Sequence, residues 1–135
     1  MRLAEETITV FNAALDEETG YDVYIPTVIR GASWFCEIAS TVTDAGLKAA
    51  NRFTIRIPED ADFSGKEYAA PPAYSAAADK SGLFTLAQGT IIVHAEETER
   101  LTPAQLKARY GEVVTVLGVT DNRRAKAKHW KVVGG

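Results

Sequence analysis

Arg52-Phe53-Thr54-Ile55-Arg56-Ile57-Pro58 alternates strictly between polar and apolar side chains until the proline ends it. In a strand, successive side chains point to opposite faces, so Phe53, Ile55 and Ile57 share one face and Arg52, Thr54 and Arg56 the other. Upstream, Thr7-Ile8-Thr9-Val10-Phe11-Asn12 has the same alternation, and Asp16 to Gly20 reads as a turn. Tyr21 to Ile38 is rich in β-branched and aromatic residues. Pro26 removes a ladder donor and Gly31 allows a bulge, which predicts two strands, Asp22–Ile25 and Val28–Ile38, with a kink or edge position between them. Between Thr41 and Asn51 a marginal helical turn is expected, capped by Thr43 or Asp44 and running through Ala45, Leu47, Lys48, Ala49 and Ala50.

Downstream of Pro58, Glu59 to Pro72 reads as a long acidic loop, a mild hint of function because structureless loops of that length are uncommon in compact domains. Pro72 to Lys80 predicts a short helix. Phe84-Thr85-Leu86 and Thr90 to Ala95 look like strands meeting at a turn that contains Gly89. Thr102 to Gly111 carries the clearest helix signals: Thr102 as N-cap, Pro103 at the first position and Gly111 at the C-terminus. Val113–Val119 and His129–Val133 close the chain as strands around a basic loop from Thr120 to Lys128. The sum is about seven short strands with two or three short inserted helices and no regular βαβ alternation. This predicts a mainly β single domain over residues 1–135, a small antiparallel β-barrel or sandwich.

The 135 residues are 46% hydrophobic and 24% charged, enough for one sizeable core and too few for two. No apolar run reaches the roughly 20 residues of a membrane-spanning helix, and the polar Met1-Arg2-Leu3-Ala4-Glu5-Glu6 start is unlike a signal peptide, so a cytoplasmic product with no membrane contact is expected. The single Cys36 excludes an internal disulfide and, beside Trp34 and Phe35, reads as a small core residue. Of the net charge of −3, residues 121–135 carry +4 and the first 120 carry −7. A basic terminal segment in an acidic chain suits an acidic protein surface or a phosphate backbone. A solvated hairpin is the plainer reading of the same pattern.

Candidate chemistry is sparse. His94 and His129 are open to pairing across strands, but no spacing for a metal site accompanies them. Glu59, Asp60 and Asp62, and Glu96, Glu97 and Glu99, read as solvated carboxylates rather than a catalytic pair. Phosphate-binding glycine loops are absent from the sequence, so no cofactor is expected and the protein is read as a non-enzyme. Tyr21, Tyr24, Trp34, Phe35 and Trp130 are suited to stacking bases or sugars on a barrel, with Arg123, Arg124, Lys126 and Lys128 tracking a backbone, although core packing accounts for most of them.

Four segments carry a family resemblance: Thr27 to Trp34, Asp44 to Pro58, Asp79 to Leu86, and Gly118 to Arg124 through His129 to Val133. Together they resemble a family of small uncharacterised proteins encoded in prophages and phage-derived elements of Firmicutes, among virion structural genes. The order of features, with a strand bearing Trp34 followed by the Phe53–Pro58 strand, is similar to phage head-tail joining (head-closure) proteins, which are small β-barrels. The resemblance implies a virion structural protein, a head-tail connector or minor capsid protein acting as a homo-oligomeric ring. Its partners would be portal, connector or tail subunits, with DNA contact at most non-specific. It would reside in the virion and, during assembly, in the bacterial host cytoplasm. On that reading Glu59, Asp60, Asp62 and Tyr68 belong to a gate or partner-contact loop, and Arg123, Arg124, Lys126 and Lys128 dock onto an acidic neighbour. The alternative is a phage-encoded, non-enzymatic binding module for nucleic acid or host glycan.

Overall fold

The structure, a computed structural model, describes residues 5–43, 46–124 and 126–135, with 38–43 and 46–50 described by backbone alone. The expected cap at Asp44, the adjoining Ala45, the start Met1 to Ala4 and Ala125 lie outside the described residues. Along the chain run β1 (Glu6–Leu15), β2 (Asp22–Thr43), β3 (Gly46–Pro58), β4 (Glu67–Tyr68), α1 (Pro71–Ala76), β5 (Leu83–Phe84), β6 (Ile91–Val93), α2 (Pro103–Tyr110), β7 (Val114–Asp121) and β8 (His129–Gly134). Six of the strands close into a barrel in the order β1-β2-β3-β8-β7-β6, every pair antiparallel. The fold is therefore the barrel, not the sandwich.

The alternation of β3 is realised as read: Phe53, Ile55 and Ile57 are buried. They meet Ile8, Val10, Ile29, Ile92, Val116, Trp130 and Val132 inside the barrel. A barrel of so few strands has no room for a lumen, and its interior is filled by these side chains. β1 is buried on its other face as well, where Phe11, Ile91 and Val93 pack under Leu106 of α2.

Sequence and structure differ at several points. β2 is one strand of 22 residues, not two. Its Pro26 carbonyl accepts from Lys66 Nζ at 2.9 Å, on the edge away from β1, so the missing N–H also faces that edge and no ladder bond is lost. Gly31, at φ 98°, supplies the expected bulge where the β1 register slips between Glu6 and Thr7. The described residues of Thr41–Asn51 are strand, not helix, because β2 and β3 stay paired to Thr43↔Gly46. β5 does not meet β6; it pairs in parallel with β4, and β6 joins the barrel alone. The Glu59–Pro72 segment is not structureless: Asp62 exchanges backbone hydrogen bonds with Arg30, Ser64 Oγ donates to the Val28 carbonyl, and β4 follows. Cys36 is exposed rather than in the core.

α2 begins and ends as its sequence dictates. Thr102 Oγ1 accepts from the Gln105 N–H while Gln105 Oε1 accepts from the Thr102 N–H, and Gly111 takes φ 73° after the last turn. Its C-terminal turn is pinned by Glu97, a buried carboxylate that the sequence had placed on a solvated face. Tyr110 OH donates to Glu97 Oε1 at 2.7 Å and Arg109 Nη1 at 2.6 Å, while the Thr98 and Glu99 N–H groups donate to Oε2. These contacts, the Tyr110 hydroxyl first and the Glu99 N–H next, hold the carboxyl down to about 2.

A carboxylate with a depressed folded-state pKa stabilises fully above its ordinary range and loses that contribution as pH falls toward the depressed value. Glu97→Gln is expected to cost about 2 kcal/mol at neutral pH, the scale of lost charge-assisted hydrogen bonds in a buried site. It should also flatten the decline in stability between about pH 4.5 and 2, as followed by urea denaturation across that range. Gly134 tests barrel closure: a Cβ there would sit 2.5 Å from Val114 Cγ1 and 2.6 Å from the Thr115 carbonyl oxygen. Gly134→Ala should therefore lower stability by about 1–3 kcal/mol, the cost of overpacking, read as a drop in Tm.

Candidate functional site

Two loops that the sequence singled out, Glu59–Pro72 and Thr120–Lys128, meet at one end of the barrel. β3 and β8 pair to their limit at Pro58↔His129, and the Glu59 N–H donates to the Lys128 carbonyl at 2.9 Å. The turn after β3 is thereby stitched to the basic turn before β8. Ser33, Arg56, Glu59, Asp60, Lys126, Lys128 and His129 surround an open groove of about 680 Å³ at this junction. A smaller charged cleft beside it is lined by Glu59, Asp121, Arg123 and Arg124.

The four cations of the basic loop do not form one set. Arg123 is spent within the chain. Its Nε and Nη2 donate to Asp121 Oδ1 and Oδ2 at 2.9 and 2.7 Å, and its guanidinium lies 4.9 Å from the Trp130 ring centroid and 5.3 Å from that of Tyr68. The Arg123 hydrogen bonds hold the Asp121 carboxyl below its usual range. Trp130 is buried beneath, 4.6 Å from Tyr68 and 6.1 Å from Phe63 by ring centroids, so Arg123 closes an aromatic plug at the end of the barrel. Arg124, Lys126 and Lys128 are exposed, and none forms an ion pair among the described residues.

The acidic loop divides in the same way. Asp62 and Tyr68 serve the fold, one bridging to β2 and the other packing on Trp130 and Phe84, whereas Glu59 and Asp60 stay at the surface beside the basic turn. What the junction offers is a mixed-charge rim at one end of the barrel, the cations Arg56, Arg124, Lys126 and Lys128 against the carboxylates Glu59 and Asp60.

The two histidines are not brought into one cluster. His129 Nδ1 donates to the Ala127 carbonyl and Nε2 accepts from Asn122 Nδ2, which assigns the Nδ1–H tautomer and occupies both ring nitrogens. His94 stacks on Trp34 with centroids 4.4 Å apart and its Nε2 bonds Glu6 Oε2 at 2.9 Å. No three metal-ligating side chains gather among the described residues. Of the aromatic candidates, Trp34 is half-buried against the core, Tyr24 packs on the second cluster, and Tyr21 and Phe35 are exposed. The plug was missed by the sequence reading, yet its signal is present: alternation along His129-Trp130-Lys131-Val132-Val133 puts Trp130 and Val132 on one inward face.

Over residues 3–135 the chain matches the model of the Family of unknown function (DUF6751), and it belongs to that family. Comparison with curated proteins and with solved structures finds no match.

The division of labour within the basic loop is testable by single substitutions. Arg123→Ala should lower stability by about 1 kcal/mol or more through loss of the stacked guanidinium, and should red-shift the emission of Trp130 as water reaches the plug. Arg124→Ala and Lys126→Ala should fall within about 0.5 kcal/mol of the parent chain, as exposed side chains without partners do, when all three are compared by thermal denaturation.

Proposed function

We propose that this member of a family without an assigned activity is a phage or prophage virion structural protein. It is a head-tail connector of the head-closure type or a minor capsid protein, and it acts by ring assembly, not by catalysis. The observation that carries this reading is the ribbon formed by β2 and β3. Their pairing continues through seven further residue pairs, Glu37↔Arg52 to Thr43↔Gly46, after β1 has made its last pair at Ala32 and β8 its last at Phe53. Among the described residues, both outer edges of that ribbon pair with nothing else. A two-stranded ribbon is marginal by itself, and its open edges invite strand pairing, so it suits a contact made in an assembly.

The same strand, β3, leaves the ribbon at one end and reaches the charged junction at Pro58 at the other, roughly 40 Å away at strand rise. A bipolar element on a rigid, filled barrel fits a part that sits between two partners. The family resemblance of the sequence to phage joining barrels points the same way, and Arg124, Lys126 and Lys128 would meet an acidic neighbouring subunit.

Quantitative mass spectrometry of density-purified particles released after induction of the host tests this. A ring's worth of copies per particle is the expected result; absence from otherwise complete particles overturns it. Arg124→Glu, Lys126→Glu and Lys128→Glu together should abolish infectious yield while leaving Tm unchanged. Salt-sensitive DNA binding by the purified chain, or retention on a host glycan, combined with absence from particles, would favour the binding module instead.

A further inference from the structure

Among the described residues, the large hydrophobic side chains that the barrel leaves exposed fall into two pairs on two separate surfaces. Leu15 (65% exposed) and Tyr21 (77%) stand at the tip of the β1–β2 hairpin, where Leu15 opposes Asp22 and the Asp16 N–H donates to the Tyr21 carbonyl. Phe35 (56%) and Leu117 (62%) stand on the outer wall made by β2, β3, β8 and β7. They end a row that runs Phe35, Thr54, Val133 across the paired strands to the bulge at Leu117. Exposed apolar side chains gathered in this way mark contact surfaces more often than scattered single ones do.

The charge around each pair is of opposite sign. The tip carries Asp16, Glu17, Glu18 and Asp22, and the sequence from Leu3 to Ile29 holds no lysine or arginine. Lys80 lines the cleft beside the tip, but its Nζ donates to the Ala77 carbonyl and lies over the Tyr74 ring. The outer wall sets Arg56 and Lys131 as cross-strand partners on one side of its apolar row, and Arg52 opposite Glu37 on the other. Both surfaces are built on β2, the tip at its start and the wall in its second half, so they cannot meet within one chain.

We propose that the β1–β2 tip of one copy docks on the β2-β3-β8-β7 outer wall of the next, burying Leu15 and Tyr21 against Phe35, Val133 and Leu117 with acidic tip facing basic wall. Such a contact is heterologous: each copy keeps one tip and one wall to offer, which propagates into a ring when the rotation closes. This deepens the ring-assembly reading above, and rests on it, by naming the two faces and the occupant of each.

The test uses the full chain in a Cys36→Ser background with Leu15→Cys and Leu117→Cys, oxidised at high concentration. A ladder of trimers and larger species is expected. Glu17→Lys, Glu18→Lys and Asp22→Lys, which spare the Asp16 side chain that caps the turn at the Glu18 N–H, should abolish the ladder. So should Arg52→Glu, Arg56→Glu and Lys131→Glu on the wall. Combining the two sets in one chain should restore it, which also shows that loss in either alone is not misfolding. Dimers only, no ladder, a ladder indifferent to the reversals, or failure of the combined chain to restore it each overturn the inference. A charge-dependent ladder from a protein absent from particles leaves the contact standing and removes the connector reading; presence in particles with no such ladder does the reverse.

Discussion

The architecture depends on one strand serving two partners in succession. β2 pairs with β1 as far as Ala32 and with β3 from Ser33, and the Gly31 bulge lies at the hand-over. A bulge adds one residue to one strand and sharpens its bend and twist, which is what a small barrel needs to curl closed without an additional strand. The cost falls on the first half of β2, whose edge away from β1 has no strand beside it. The residues after β3 cover that edge: Asp62 bridges Arg30, Ser64 reaches the Val28 carbonyl, and Lys66 reaches the Pro26 carbonyl and Thr27 hydroxyl. Burial and its neighbour Arg100 push the Lys66 ammonium below its ordinary range, consistent with its place inside this strap. The segment that reads as a long acidic loop in sequence is thus an edge guard.

Much of this was legible where the determining physics is local. The period of β3, the caps of α2 and the glycine of the bulge are each decided within a few residues, and the structure keeps all of them. The residues around Thr41–Asn51 went wrong because Ala, Leu and Lys favour a helix intrinsically, and strand pairing with β2 outweighs so weak a preference. β5 went wrong for a related reason: Phe84-Thr85-Leu86 looks like the first arm of a hairpin with β6, but the strand there is Leu83–Phe84 and its partner is Glu67–Tyr68, fixed by a contact no local window contains.

The candidate site shows the same boundary. Both of its loops stand out in the sequence by charge, proline and glycine, yet their junction is set by Pro58↔His129, a register that spans half the chain. Arg123 and Glu97 are the instructive residues, since each sits in a run of like charges and reads as solvated. One is taken up by Asp121 and two aromatic rings, the other by Tyr110, Arg109 and two backbone N–H groups. A charge run names the residues that can reach water; only the fold tells which of them do.

Stability and surface chemistry are consequently carried by different atoms of the same strands. In β3 and β8 the inward positions Phe53, Ile55, Ile57, Trp130 and Val132 fill the barrel, while the outward positions Arg52, Thr54, Arg56, Lys131 and Val133 make no demand on it. A strand with period two can alter its outward set without touching its inward one, so a closed barrel is free to carry whatever surface its partners require. The +4 of the last fifteen residues, which in sequence looks like a tail for an anion, is divided by the fold into a plug residue, a rim and a wall position. Arg123 seals the core, Arg124, Lys126 and Lys128 face outward at the end of the barrel, and Lys131 lies beside Arg56 on its side. One closed barrel thus carries surfaces that differ in charge and in direction, none of which draws on the apolar side chains that fill it.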